Sequence, residues 1–263
     1  MKVIDAIKKG FEIASKTLAV VLVVFIFNLV WNLVTIPFTP ATPLGPAAQT
    51  PMSPPLAVLS IIFILLSIFI QGGVLSSMKD AIKEGKAQLD RFAGYGAKFY
   101  LRLLGIAVLI GLVIGIAALL ATLIAASSAA SGNAIIIGIT AIIALVVGGL
   151  GIYLVVLLSF SPYVLVVKDT GVFETIKASV AFVRKNLLKV VGLGLLLILI
   201  GLGIGLIVGV IVGFLSLAIR GRFFQVIVGI ISSGVNSYLS IVITASLMSY
   251  YLALSKTEQP TQT

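Results

Sequence analysis

Residues 17–78, 103–167, 190–219 and 223–255 contain no Asp, Glu, Lys or Arg. Apolar runs of this length mark helices that cross a lipid bilayer, where about 20 residues span the hydrocarbon. Turn signals divide the runs into six predicted spans, at about 17–36, 56–78, 103–126, 134–167, 190–219 and 223–254. Between the first two lies 37–55, an uncharged connector with seven of the nine prolines. The fourth span is long for one crossing. It is expected to tilt, or to kink at Gly148-Gly149-Leu150-Gly151 or at Pro162. The whole chain, 1–263, reads as one polytopic, all-α transmembrane domain, a six-helix bundle.

Composition agrees. The chain is 60% hydrophobic and 10% charged, where a soluble domain carries roughly 25% charged residues. A net charge of +10 would ordinarily raise nucleic acid as a partner, but here the charge follows topology instead. Sixteen of the eighteen Lys and Arg fall in the N-terminal segment, the second and fourth loops and the tail. Only Arg220 and Arg222 fall on the opposite side. By the positive-inside rule both termini are expected in the cytoplasm, in a cell membrane. A cleaved signal peptide fits residues 1–36 poorly, because its apolar core is too long.

A short pattern recurs before each pair of spans: Asp5-Ala6-Ile7-Lys8, Asp80-Ala81-Ile82-Lys83 and Glu174-Thr175-Ile176-Lys177. Ile4, Ile7, Phe11 and Leu18 follow helical spacing, as do Phe173, Ile176, Val180, Val183 and Leu187. Such segments predict amphipathic helices on the membrane surface, with Lys8, Lys9, Lys83, Lys177, Arg184 and Lys185 toward an anionic leaflet. The middle copy is interrupted by Gly85, Gly94 and Gly96. A threefold repeat would make three similarly oriented units, each an amphipathic helix and a hairpin of spans, around a pseudo-axis. The bland alternative is that any charged loop between spans looks alike.

Glycines recur every four residues at Gly201, Gly205, Gly209 and Gly213, and at Gly111 and Gly115. Lacking side chains, they predict close helix packing, within the chain or between copies. Gly205→Leu or Gly209→Leu is then expected to disrupt folding or assembly. A polar stripe, Ser232, Asn236, Ser240 and Thr244, is flanked by Ser233 and Ser237, and Asn28, Asn32 and Gln71 lie in the first two spans. These could be hydrogen-bonding glue between helices, or the lining of a solute or headgroup path.

Chemistry is sparse. With no Cys and no His there is no disulfide, thiolate, imidazole or Cys/His metal cage. No acid or base lies within a span, so no proton relay or intramembrane hydrolase can be assembled at depth. Asp80, Glu84, Asp90, Asp169 and Glu174 sit near Lys or Arg and read as solvated pairs. No catalytic, metal or cofactor residue is expected.

The runs Ser159-Phe160-Ser161-Pro162-Tyr163-Val164-Leu165-Val166-Val167-Lys168-Asp169, with its continuation from Gly171 to Val180, and Lys98-Phe99-Tyr100-Leu101-Arg102-Leu103-Leu104-Gly105 carry a resemblance. They are similar to stretches in a broad group of prokaryotic polytopic proteins of unknown function. That group resembles the membrane domain fused to some glycerophosphodiester phosphodiesterases. The resemblance implies a fold. The phosphodiesterase barrel and its metal-binding carboxylates have no counterpart here, so no catalysis carries over.

The sequence therefore points to a non-enzymatic multi-pass membrane protein, a scaffold or lipid-interacting subunit whose partners are membrane lipids. Self-association or a protein partner stays open. The alternative is a passive channel or carrier for a neutral or amphiphilic solute.

Overall fold

The computed structural model describes residues 1–38, 54–219 and 221–257. The predicted connector at 37–55, Arg220 and the end of the polar tail fall mostly or wholly outside the described residues. All regular structure among the described residues is helical: α1 (Val3–Lys16), α2 (Leu18–Thr35), α3 (Pro54–Glu84), α4 (Phe92–Ser131), α5 (Ala134–Leu158), α6 (Ser161–Lys168), α7 (Val172–Lys185), α8 (Leu187–Ala218) and α9 (Gly221–Thr257). Among the described residues six segments are long and apolar enough to cross a membrane: Leu18–Phe38, Pro54–Glu84, Phe92–Ser128, Ala134–Lys168, Leu187–Ala218 and Gly221–Ser255. The fold is all-α, with six such segments among the described residues.

Local chemistry sets the helix ends. Asp5 in the first turn of α1 and Lys16 in its last both suit the helix dipole. Gly85 at φ 77° follows α3, and Gly132 at φ 58° follows α4, each in the left-handed conformation that costs glycine little. Asn133 then caps α5, its side chain accepting from the Ile135 N–H at 2.9 Å. The long fourth segment breaks at Ser159-Phe160, and Pro162 sits in the first turn of α6. Of the two expected break points, proline is the one used. Gly148, Gly149 and Gly151 stay inside an unbroken α5.

Helices also run past the apolar limits read from the sequence. The charged stretch 79–102 is mostly helix, as the end of α3 and the start of α4, not a surface helix of its own. The middle copy of the surface segment is thus absorbed into two long helices. The other two copies are built alike. The α1 and α7 helices have 14 residues each, and each stops at one residue before a long span begins. That residue is Thr17 (φ −116°, ψ 38°) or Asn186 (φ −120°, ψ 22°). Each also folds its side chain back to a carbonyl four residues earlier: Thr17 donates to Ile13 at 2.8 Å, Asn186 to Phe182 at 3.1 Å.

The residues fall into two compact units, 1–100 with 192–263, and 101–191. In the first, α1 and α2 pack along α9 around Ile13, Ala14, Val20, Val24, Val74, Met78, Phe92, Ile241, Val242 and Ala245. In the second, α7 packs on α5 and α6, where Phe160 meets Tyr163 and Phe182 with ring centroids 5.7 and 5.0 Å apart.

One packing device recurs three times. A small residue of a polar-ended helix presses on a carbonyl of a span. A Cβ added to Gly10 would lie 2.7 Å from the Val242 carbonyl oxygen, and one on Gly96 2.9 Å from that of Phe69. Ser179, buried, donates to the Leu157 carbonyl at 2.8 Å. Four of the five buried positions of α1 (Ala6, Gly10, Ile13 and Ala14, with Ile7 the fifth) coincide with the buried positions of α7 (Thr175, Ser179, Phe182, Val183) when the helices are aligned at Thr17 and Asn186.

The apolar stripes divide. Ile4 and Phe173, expected on helices at the membrane surface, are 60% and 77% exposed, while Ile7 and Val183 of the same stripes are buried. Small residues pack on the spans together with Ile7, Ile13, Phe182 and Val183, while Ile4 and Phe173 point outward. Lys8, Lys9, Lys83, Lys177, Arg184 and Lys185 are all exposed.

Candidate functional site

The polar residues of the spans meet in the first unit. Asn28 of α2 donates through Nδ2 to the Ser237 hydroxyl of α9 at 2.9 Å, and Asn32 does the same to Ser233, also at 2.9 Å. The Ser237 hydroxyl in turn donates to the Ser233 carbonyl at 2.6 Å. Both serines are fully buried. This ladder is the glue between α2 and α9. It uses Ser233 and Ser237, which the sequence reading had placed only at the edge of the stripe.

The stripe itself divides. Ser232 is half-buried and Asn236 exposed, and among the described residues Asn28 and Asn32 turn their amides to Ser237 and Ser233 and not to these two. Ser240 and Thr244 turn instead toward a groove between α2, α3 and α9. This groove has a volume of about 300 Å³ and is lined by Val24, Phe27, Asn28, Phe63, Ser67, Ile70, Gln71, Val74, Ser240 and Thr244. Of the seven predicted interior residues it gathers Asn28, Gln71, Ser240 and Thr244. Ser67 was missed, and its hydroxyl already donates to the Ile64 carbonyl at 2.7 Å. One wall is aromatic: Phe63 stacks on Phe27 at 4.7 Å and on Trp31 at 4.1 Å between centroids. The side chains of Gln71, Ser240 and Thr244 make no hydrogen bond among the described residues. The groove carries no formal charge.

The predicted glycine seam is placed differently. A Cβ on Gly111, Gly115, Gly201, Gly205, Gly209 or Gly213 would meet nothing within 4 Å among the described residues. Close approach instead occurs at Gly10, Gly73 and Gly96, and at Gly151 against Ala117, none of which lies in a four-residue glycine run.

A family model described as Domain of unknown function (DUF7847) matches residues 1–254. The chain belongs to this family. No curated protein and no solved structure matches it. Family membership brings no chemistry with it, so the charged residues must be read from their own contacts.

One carboxylate, Asp80, departs from the solvated-pair reading, and one, Asp169, keeps it. Asp80 is 5% exposed, and Oδ2 accepts from the Tyr95 hydroxyl at 2.7 Å. Tyr95 was not singled out in the sequence. Nothing there signals that a tyrosine 15 residues away closes onto a buried aspartate. Asp169, in the left-handed conformation at φ 54°, pairs with Arg102 at 2.8 Å, and Arg102 also donates to the Thr170 carbonyl at 3.2 Å. That pair ties α4 to the turn before α7. On α1, Lys16 and Glu12 pair at 2.6 Å on the exposed face. The hydrogen bond and charge of Lys16, with Lys9 beyond it, hold the Glu12 carboxyl below its usual range.

Proposed function

We propose that this chain is a non-enzymatic, lipid-interacting membrane protein whose uncharged groove accepts the polar end of a neutral amphiphile from the bilayer. The observation that supports the reading is the unpaired polar set Gln71, Ser240 and Thr244, held beside Asn28 within the spans. In hydrocarbon a polar side chain without a partner is costly, so an occupant that supplies hydroxyl or carbonyl groups is favoured. Phe27, Phe63, Ile70 and Val74 offer the apolar surface that the rest of such a molecule needs. Absence of charge disfavours an ionised headgroup there. A carrier moving the same kind of neutral solute would use the same groove.

The sole tryptophan, Trp31, is stacked against a groove residue and reports on it. Brominated dioleoylglycerol should quench Trp31 saturably in detergent micelles. In Gln71→Leu/Ser240→Leu its affinity should fall about tenfold, the value of one to two hydrogen bonds in an apolar setting. Equal quenching of both proteins, or by a brominated alkane, would overturn the reading.

We also propose that the chain ends face the cytoplasm. A cysteine at exposed Lys86 should resist an impermeant thiol reagent in intact cells and react after lysis. Labelling of intact cells would reverse the orientation. Gln49, the matching position for the outside face, lies outside the described residues.

A further inference from the structure

At the charged end of the first unit, two lysines from different helices face one cleft. Lys9 of α1 and Lys83 of α3 line a space of about 580 Å³ whose other walls are Ile82, Ser249, Leu252 and Ala253. Ser249 is 3% exposed, and its hydroxyl has no hydrogen-bond partner among the described residues. A buried hydroxyl in that position costs free energy unless something completes it. A smaller hollow of about 100 Å³ shares Lys9 and Ile82 and is bordered by Glu12, Lys16 and Thr17. Glu12 is turned to Lys16, and Asp80 to Tyr95. Neither carboxylate lines the larger cleft.

We propose that this cleft is a phosphate site for the headgroup of an anionic amphiphile, separate from the uncharged groove and independent of its role. Two ammonium groups supply charge-assisted donors to phosphate oxygens, and the Ser249 hydroxyl supplies a third donor. Ile82, Leu252 and Ala253 offer an apolar wall for the glycerol and the upper acyl chain. The cleft stands where apolar spans give way to charged helix ends, the depth at which a phosphate headgroup lies. A free phosphate ester shares the anionic chemistry but makes no use of the apolar wall.

Native mass spectrometry of the detergent-purified full chain tests this, with dioleoyl phosphatidylglycerol, dioleoyl phosphatidylcholine and glycerol phosphate as probes. The wild type should retain phosphatidylglycerol over phosphatidylcholine. Lys9→Gln/Lys83→Gln should weaken phosphatidylglycerol binding roughly twentyfold. Lys2→Gln/Lys8→Gln makes the same change of charge at the start of the chain, outside the lining of the cleft, and should shift binding less than about threefold. Ser249→Ala should weaken binding several-fold without lowering thermal stability, because it removes an unpartnered group. Glycerol phosphate bound as tightly as the lipid, and lost with Lys9 and Lys83, would keep the phosphate site and assign it to a soluble ester. Unchanged lipid binding in Lys9→Gln/Lys83→Gln, or an equal loss in the Lys2/Lys8 control, would overturn the site.

Discussion

Gly10→Leu should unfasten α1 from α9 and lower the melting temperature of the purified protein sharply. The reason is backbone contact. A Cβ at position 10 lies 2.7 Å from the Val242 carbonyl oxygen, and Ser246 crowds the same point. A carbonyl inside α9 cannot swing aside as a side-chain tip can. Overpacking of this kind costs about 1–3 kcal/mol, and leucine adds three carbons beyond the first. The Ile13, Ala14 and Ala245 cluster next to it would open as well. Gly205→Leu is the matched control. It has the same change of volume, in a longer glycine run, yet a Cβ there meets nothing within 4 Å among the described residues. Its melting temperature in detergent should stay within error of wild type. If Gly205→Leu unfolds the monomer and Gly10→Leu does not, the packing of α1 on α9 is wrong. A loss confined to self-association in Gly205→Leu would place that stripe between copies.

This contrast shows what the sequence could and could not convey. The spans were legible because a charge-free run of twenty or more residues has few alternatives to a bilayer helix. Helix ends were less legible. Lys83 and Glu84 are polar but still helical, since the backbone gains its hydrogen bonds whichever solvent surrounds the side chains. The start of α4, Phe92–Arg102, was hidden for the same reason.

The four-residue runs divide between faces for a geometric reason. An α-helix has 3.6 residues per turn, so each step of four drifts about 40° around the axis. From Ser232 to Thr244 the drift is about 120°, too wide for one neighbour. Ser233 and Ser237 take the face toward α2, where a Cβ added to Gly229 would lie in ordinary contact, 3.5 Å, with the Cβ of Asn32. Ser240 and Thr244 are carried round from the side of Ser232 onto the face that Ser233 and Ser237 hold, further along α9, where the groove lies. The stripe from Gly201 to Gly213 drifts equally. Four of the ten groove residues were therefore visible as residue types, while its walls depended on which helix came to lie beside α9.

Tyr95→Phe should be the second costly change, although it removes one oxygen. Asp80 is 5% exposed and accepts the Tyr95 proton at 2.7 Å. A buried carboxylate needs its donors, and hydrogen bonds to charged groups are worth about 1.5–3 kcal/mol. Deleting the hydroxyl leaves the charge in place without that donor, which costs more than removing both partners. The order of stabilities is therefore expected to be wild type first, then Asp80→Asn, which keeps an acceptor for Tyr95, then Tyr95→Phe. In Asp80→Asn the further change Tyr95→Phe should cost much less than in wild type, giving a coupling of about 1 kcal/mol or more. Urea or thermal unfolding of the four proteins closes the cycle. Additive effects would mean that Asp80 is satisfied by water and not by Tyr95. The outcome bears on the repeat as well. This bond joins the end of α3 to the start of α4, across the stretch where α1 and α7 have a free-standing helix. It gives the middle segment a fastening of its own at the place where glycines ended the pattern.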